Sequence, residues 1–153
     1  MFKTMNHIEW LTAKILEFDQ SLWTLSVEDH PEMTIDQWIS LRLDWGQKMG
    51  FVWFEFDRDN QPQKAVCMRP VNEEILERIA SDYAGSIWEF DSQGQSVFID
   101  FRVGEGSIPF AWDLCKLTGR KEVAYHHHQK IKRVQLSNVP RVKEFFNGAR
   151  KGA

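Results

Sequence analysis

The stretch VFIDFRVGEGSIPFAWDLCKLT, residues 97–118, decides the fold class. Val97–Arg102 alternates in the period of a strand, with Asp100 between apolar Ile99 and Phe101. Gly104-Glu105-Gly106 closes that strand with turn formers. Ser107 then stands at an expected helix cap, and Pro109 falls in the first turn, where its missing N–H costs nothing. Ile108, Ala111, Trp112 and Cys115 follow the i, i+3, i+4, i+7 spacing of an amphipathic helix, which Gly119 ends. A strand, a glycine turn and a helix in succession predict an α/β unit.

Working outward, the chain repeats this alternation. A first helix is expected from an Asn6 cap with Glu9 at the box position, its apolar side being Ile8, Leu11, Ala13, Ile15 and Phe18. Residues 19–33 read as a loop. Thr34 caps a second helix with Gln37 in the box, an expected inner stripe of Ile35, Trp38, Leu41, Trp45 and Met49, and Gly50 at its end. Phe51–Phe56 and Lys64–Arg69 read as a hairpin around a separator rich in turn residues. Asn72 caps a third helix with Ile75, Leu76, Ile79 and Ala80 inside. Ser86–Phe90 is expected to pair with Val97–Arg102. Val123–His127 and Ile131–Leu136 read as a last hairpin, and Val139–Asn147 as a short basic helix or tail. The order α-α-β-β-α-β-β-α-β-β implies a single α+β domain over residues 1–153, with a mixed, largely antiparallel sheet flanked by helices.

Composition narrows the classes. The hydrophobic and charged fractions, 42% and 27%, are those of a globular chain rather than a disordered one. Seven tryptophans spread along the chain suggest a thick aromatic core. Cys67 and Cys115 have no metal-ligand spacing and read as reduced, buried thiols. No apolar run reaches the roughly 20 residues of a membrane span, and no secretory leader is recognisable, so a cytoplasmic location is expected. Net charge is −3, but residues 1–119 carry 10 basic and 20 acidic side chains, whereas residues 120–153 carry nine and two. The basic C-terminal segment, about residues 137–153, either contacts nucleic acid or folds back on the acidic body.

Four groups carry candidate chemistry. Gly104 and Gly106, with Arg102 at the strand end and Ser107 at the helix start, are placed to hold an anion such as pyrophosphate. Asp100, on a strand whose other face is apolar, would accept a proton from an attacking amine if it lay in a partly desolvated cleft. A solvated strand-face carboxylate is the alternative. Tyr125 and the histidines His126, His127 and His128 are expected to line the cleft beside Asp100, with Tyr125 as a general acid for a leaving thiolate. His126 and His128 share a strand face, but no convincing third ligand stands near them, so no metal is expected.

The element order is similar to that of the GNAT acyl-CoA-dependent acyltransferase superfamily. Arg102-Val103-Gly104-Glu105-Gly106 resembles its cofactor loop, Gln/Arg-x-x-Gly-x-Gly/Ala, one residue shorter. His7-Ile8-Glu9-Trp10-Leu11 resembles the opening helix of a divergent branch, the RTX toxin-activating lysine acyltransferases. Asp91-Ser92-Gln93-Gly94 followed by Phe98-Ile99-Asp100-Phe101 resembles that branch's aspartate-bearing strand. Its catalytic histidine has no counterpart before His30. The resemblance implies acyl-CoA or acetyl-CoA, or an acyl-carrier protein, as donor, and a protein or small-molecule amine as acceptor. It implies Arg102, Gly104, Gly106 and Ser107 as cofactor-binding residues, with Asp100 as acid/base or orienting residue. The alternatives are a non-catalytic, phage-type accessory interaction protein on the same fold, and a nucleic-acid-associated protein using the basic segment.

Overall fold

The fold was analysed in a computed structural model that describes residues 7–18, 32–127 and 130–138. Five strands form one mixed, mostly antiparallel sheet in the order β1-β2-β3-β4-β5. They are β1 (Val52–Phe56), β2 (Pro62–Val71), β3 (Ser96–Val103), β4 (Glu122–His127) and β5 (Lys130–Gln135). The helices are α1 (His7–Phe18), α2 (Ile35–Met49), α3 (Glu73–Ser81), the single turn α4 (Tyr83–Ser86) and α5 (Ser107–Leu117). A short 3-10 turn, Leu136–Asn138, ends the described chain. The chain divides into two compact units, Met1–Cys67 with Phe101–Glu105, and Met68–Asp100 with Gly106–Ala153. The expected Asn6 cap, His128 and the Val139–Asn147 tail lie outside the described residues, as does nearly all of the basic segment.

In the first unit α1 buries Ile8, Leu11, Thr12 and Ile15, while Ala13 is exposed. The Thr12 hydroxyl donates to the Ile8 carbonyl at 2.8 Å and lies 3.2 Å from the Ser40 hydroxyl of α2. The capping box of α2 forms as expected: Gln37 N–H donates to the Thr34 hydroxyl and Thr34 N–H to the Gln37 side chain. Gly50 ends the helix at φ +80°. The buried stripe of α2 differs from the expected one. It is Trp38, Ile39, Arg42, Leu43 and Gly46, whereas Leu41 and Met49 are exposed. Close approach decides this. A Cβ on Gly46 would lie 3.3 Å from both Cys67 Sγ and Val52, so the glycine face is the one that fits against the hairpin. That hairpin is antiparallel, with Val52 opposite Cys67 and a bulge between Glu55 and Phe56. Asp57 organises its turn by accepting from the N–H groups of Asp59 and Gln61.

The second unit holds a core of Val71, Ile75, Leu76, Ile79, Phe98 and Ala124, with Tyr83 and Ile131 against it. The Asn72 side chain caps α3 by accepting from Ile75 N–H at 2.8 Å. Ala80, expected inside, is exposed. β3, α5 and β4 make a parallel crossover, with Ser96 opposite Glu122 and Ile99 opposite Tyr125. β4 and β5 form the expected antiparallel hairpin, with His126 opposite Ile131.

Three expectations are corrected. Ser86–Phe90 is not a strand: it completes α4 and continues as a turn. The Asp82 carboxylate accepts from Gly85 N–H, and Arg69 takes the carbonyls of Ser86 and Glu89, so these groups serve a helical turn and a guanidinium instead of a ladder. Ser107 is not the cap of α5. Gly106 is, at φ +78° with no side-chain cap bond, and Ser107 is the first helical residue and is buried. The thick tryptophan core is absent among the described residues. Only Trp38 is fully buried, Trp88 is 39% exposed, and the core is built of aliphatic residues and phenylalanine.

Gly104 sits at φ +93°, and a Cβ there would lie 2.5 Å from the Gln63 carbonyl oxygen and 2.7 Å from Lys64 Cβ. Gly119 has a similar φ of +76° but open space around it. Gly104→Ala should therefore lower unfolding free energy by about 2–4 kcal/mol, from left-handed strain plus overlap. Gly119→Ala should lower it by only about 1 kcal/mol. Urea denaturation of both variants measures the difference.

Candidate functional site

Asp100 enters its surroundings from β3 with no exposed side-chain surface, and so does Arg69 from β2. A charged residue inside the buried run of each of two strands is costly unless the two meet, because desolvation penalises an isolated charge by several kcal/mol. They do meet. Arg69 Nε donates to Asp100 Oδ2 at 3.1 Å, and the Tyr83 hydroxyl of α4 donates to Oδ1 at 2.8 Å. Arg69 Nη1 donates to the carbonyls of Ser86 and Glu89, the latter at 2.8 Å. The guanidinium carbon lies 5.7 Å from the centre of the Phe98 ring. One ion pair thus joins β2, β3, α4 and the turn after α4.

His126 completes the cluster. Its ring meets Tyr83 edge-on at 4.9 Å and Phe98 at 5.3 Å. Both of its ring nitrogens are buried without a hydrogen-bond partner among the described residues, as is Arg69 Nη2. Burial pushes the His126 pKa below its ordinary value; the Asp100 charge opposes that shift and the Arg69 charge adds to it. The imidazole is therefore neutral at pH 7.

Of the sequence-predicted catalytic residues, the structure does not bring Tyr125 to Asp100. Side chains alternate along β4, so Tyr125 faces away from His126, on the opposite side of the sheet from Asp100. Tyr125 is buried, with its ring 6.4 Å from that of His127. The glycine loop falls across the two units. Arg102 is exposed in the first, where the need for Gly104 is explained by its packing on Gln63 and Lys64. In the second, Gly106 starts α5 and Ser107 is buried. Among the described residues no group of three His, Cys, Asp or Glu side chains is placed to hold a metal, and no helix is long and apolar enough to cross a membrane. A concavity of about 590 Å³ lies over the β1–β2 turn, lined by Phe56, Asp57, Arg58, Asp59 and Gln63, none of them a predicted site residue.

A second polar cluster consumes part of the basic charge. Glu122 is buried on β4, where it accepts from Ser96 Oγ at 2.8 Å, from Arg133 Nε at 3.0 Å and from the Gln135 amide. Arg133 also grips Glu73, and that hydrogen bond lowers the Glu73 pKa. Arg120 donates to the carbonyls of Gly94 and Ser92. Both cations are engaged by acceptors within the fold, although Arg133, like Lys130 and Lys132, stays exposed on β5. Cys67 and Cys115 are free, buried thiols. Burial pushes the Cys115 pKa up to about 12, so it carries no nucleophilic thiolate near neutral pH.

Sequence reasoning missed Arg69 and Tyr83; of the residues expected to line the cleft beside Asp100, His126 is on that face and Tyr125 is not. The signal for Arg69 was present: a lone cation in the run Ala65–Val71 matches the lone anion in Val97–Val103. No family model matches the chain, and no curated protein or solved structure matches it.

Asp100→Asn should destabilise the fold by about 3 kcal/mol or more, because it leaves Arg69 buried and uncompensated. Arg69→Met should be similarly damaging. The double variant should cost less than the sum of the two, with a coupling of about 1–3 kcal/mol, read from a double-mutant cycle in urea.

The His126 shift has a defined sign in pH. Its pKa is depressed in the folded state, so the unfolded chain binds the extra proton. Stability is full above the reference value of 6.5 and falls as pH drops below it, with a limiting slope of about 1.4 kcal/mol per pH unit. His126→Phe should remove that component between pH 6.5 and 5 in a urea series.

Proposed function

We propose that this chain is a non-catalytic interaction domain, an accessory protein on a mixed α+β scaffold. The observation that carries this reading is the state of Asp100. A general base must present a free lone pair within hydrogen-bond reach of the proton it removes. Asp100 instead gives one oxygen to Arg69 and the other to Tyr83, without solvent-exposed side-chain surface. Pairing with a guanidinium and a hydroxyl suits a carboxylate that holds strands and turns together. Tyr125, the other residue expected to carry chemistry, lies on the far face of the sheet.

One observation favours a second reading, acyl transfer from acyl-CoA or acetyl-CoA on a GNAT-like fold. The cap of α5 is Gly106, whose lack of a side chain leaves the first N–H groups of that helix without a side-chain acceptor. Such a start suits a phosphate-bearing donor. Asp100 would then orient an acceptor amine through Tyr83.

Thermal denaturation with saturating acetyl-CoA and longer acyl-CoAs separates the two readings. A ligand that binds only the native state raises its stability by mass action. The interaction-domain reading expects an unchanged midpoint and no release of free CoA in the presence of amine acceptors. A midpoint that climbs with acyl-CoA concentration, with turnover lost in Asp100→Asn beyond its loss of folded protein, would establish the second reading instead.

A further inference from the structure

We propose that the turn carrying Trp88 and Phe90, tied to the acidic helix α3 through Arg78, is a docking surface for a basic polypeptide segment of a partner protein. This assignment rests on the interaction-domain reading and gives it a place and a partner class. Trp88 and Phe90 are 39% and 38% exposed, although large aromatic side chains dominate the energetics of burial. They are held out by a backbone that is pinned from beneath. Ile87 between them and α4 is buried, and Arg69 grips the carbonyls of Ser86 and Glu89. Asp91 N–H then donates to the Pro70 carbonyl at 2.9 Å, and Asn72 donates to the Asp91 carboxylate at 3.0 Å. Arg69 is itself locked by Asp100, so the buried pair rigidifies the turn that shows both aromatics. A rigid backbone presenting amphipathic aromatic rings loses little entropy on binding, which is the property of an anchor residue.

Charge selects the occupant. Residues 72–91 carry six carboxylates and one guanidinium. That guanidinium, Arg78, is already shared between Glu74, at 2.8 Å, and Glu89, at 2.5 Å. Arg133 pairs with Glu73 and Arg120 offsets Asp91, so three cations meet these six carboxylates and the segment around Trp88 and Phe90 keeps a net negative charge, which repels a phosphate backbone and attracts lysine and arginine. Both cationic side chains also suit aromatic neighbours, through cation–π contact and through their apolar stems.

Panning a random-sequence peptide display library against the full chain tests this directly. Enriched peptides should carry net positive charge, and their binding should weaken as salt rises. Their affinity should fall at least about tenfold in Trp88→Ala and Phe90→Ala, and again in Glu77→Lys. Circular dichroism and thermal melts check that both variants remain folded. Enriched peptides without a basic bias, or with equal affinity for these variants, would overturn the surface assignment while leaving the interaction-domain reading intact. An absence of enrichment would overturn it as well. Turnover of an acyl donor, by contrast, would remove the reading on which it rests.

Discussion

A guanidinium and a carboxylate that have left water together constrain the second unit more than any apolar contact in it. Neither Arg69 nor Asp100 retains side-chain solvent exposure, so each is tolerable only while the other is in place. The pair fixes the register in which β2 and β3 bring these two positions together. Through Tyr83 and the carbonyls of Ser86 and Glu89, it also fixes the single helical turn and the segment that follows. Swapping such a pair for well-packed apolar residues is often neutral or stabilising, so its value here lies in specifying one arrangement.

The same interaction supports the interaction-domain reading. A carboxylate on an apolar strand can be an acid/base or a structural tie, and the types of its neighbours do not distinguish the two. Burial together with pairing to a guanidinium favours the tie. Asp100 is engaged on both oxygens, and the neutral His126 beside it has no acceptor or donor among the described residues. What the pair produces is mechanical: a turn held at its carbonyls, with Trp88 and Phe90 facing outward. The Glu122–Arg133–Glu73 cluster does the comparable task among β4, β5 and α3. It also pairs a cation that the sequence counts toward a basic surface.

Much of the architecture was legible in the residues. Thr34, Gln37 and Gly50 bound α2, Asn72 starts α3, and the residues from Asp57 to Gln61 turn the first hairpin, because caps and turns depend on nearest neighbours. Two of the misread features depend on residues distant in sequence. Ser86–Phe90 has the apolar and aromatic character of a strand, yet Arg69, 17 residues away, takes the Ser86 carbonyl. The inner face of α2 turns toward Arg42 and Gly46 because the helix must approach Cys67 and Val52 closely. Amphipathic periodicity counts apolar residues and has no way to register a buried arginine or a glycine contact.

By itself the sequence determined most of the alternation of strands and helices, several of their caps, and the presence of one charge within the apolar run of each of two strands. Local propensity and hydrophobic period act over a few residues and are written in order along the chain. The tertiary structure alone decided that Arg69 and Asp100 find each other, that Tyr125 faces away from Asp100, and that Gly104 is glycine because Gln63 and Lys64 lie against it. Those are facts about which residues meet across the sheet and which face they share. A single register shift would reverse every one of them.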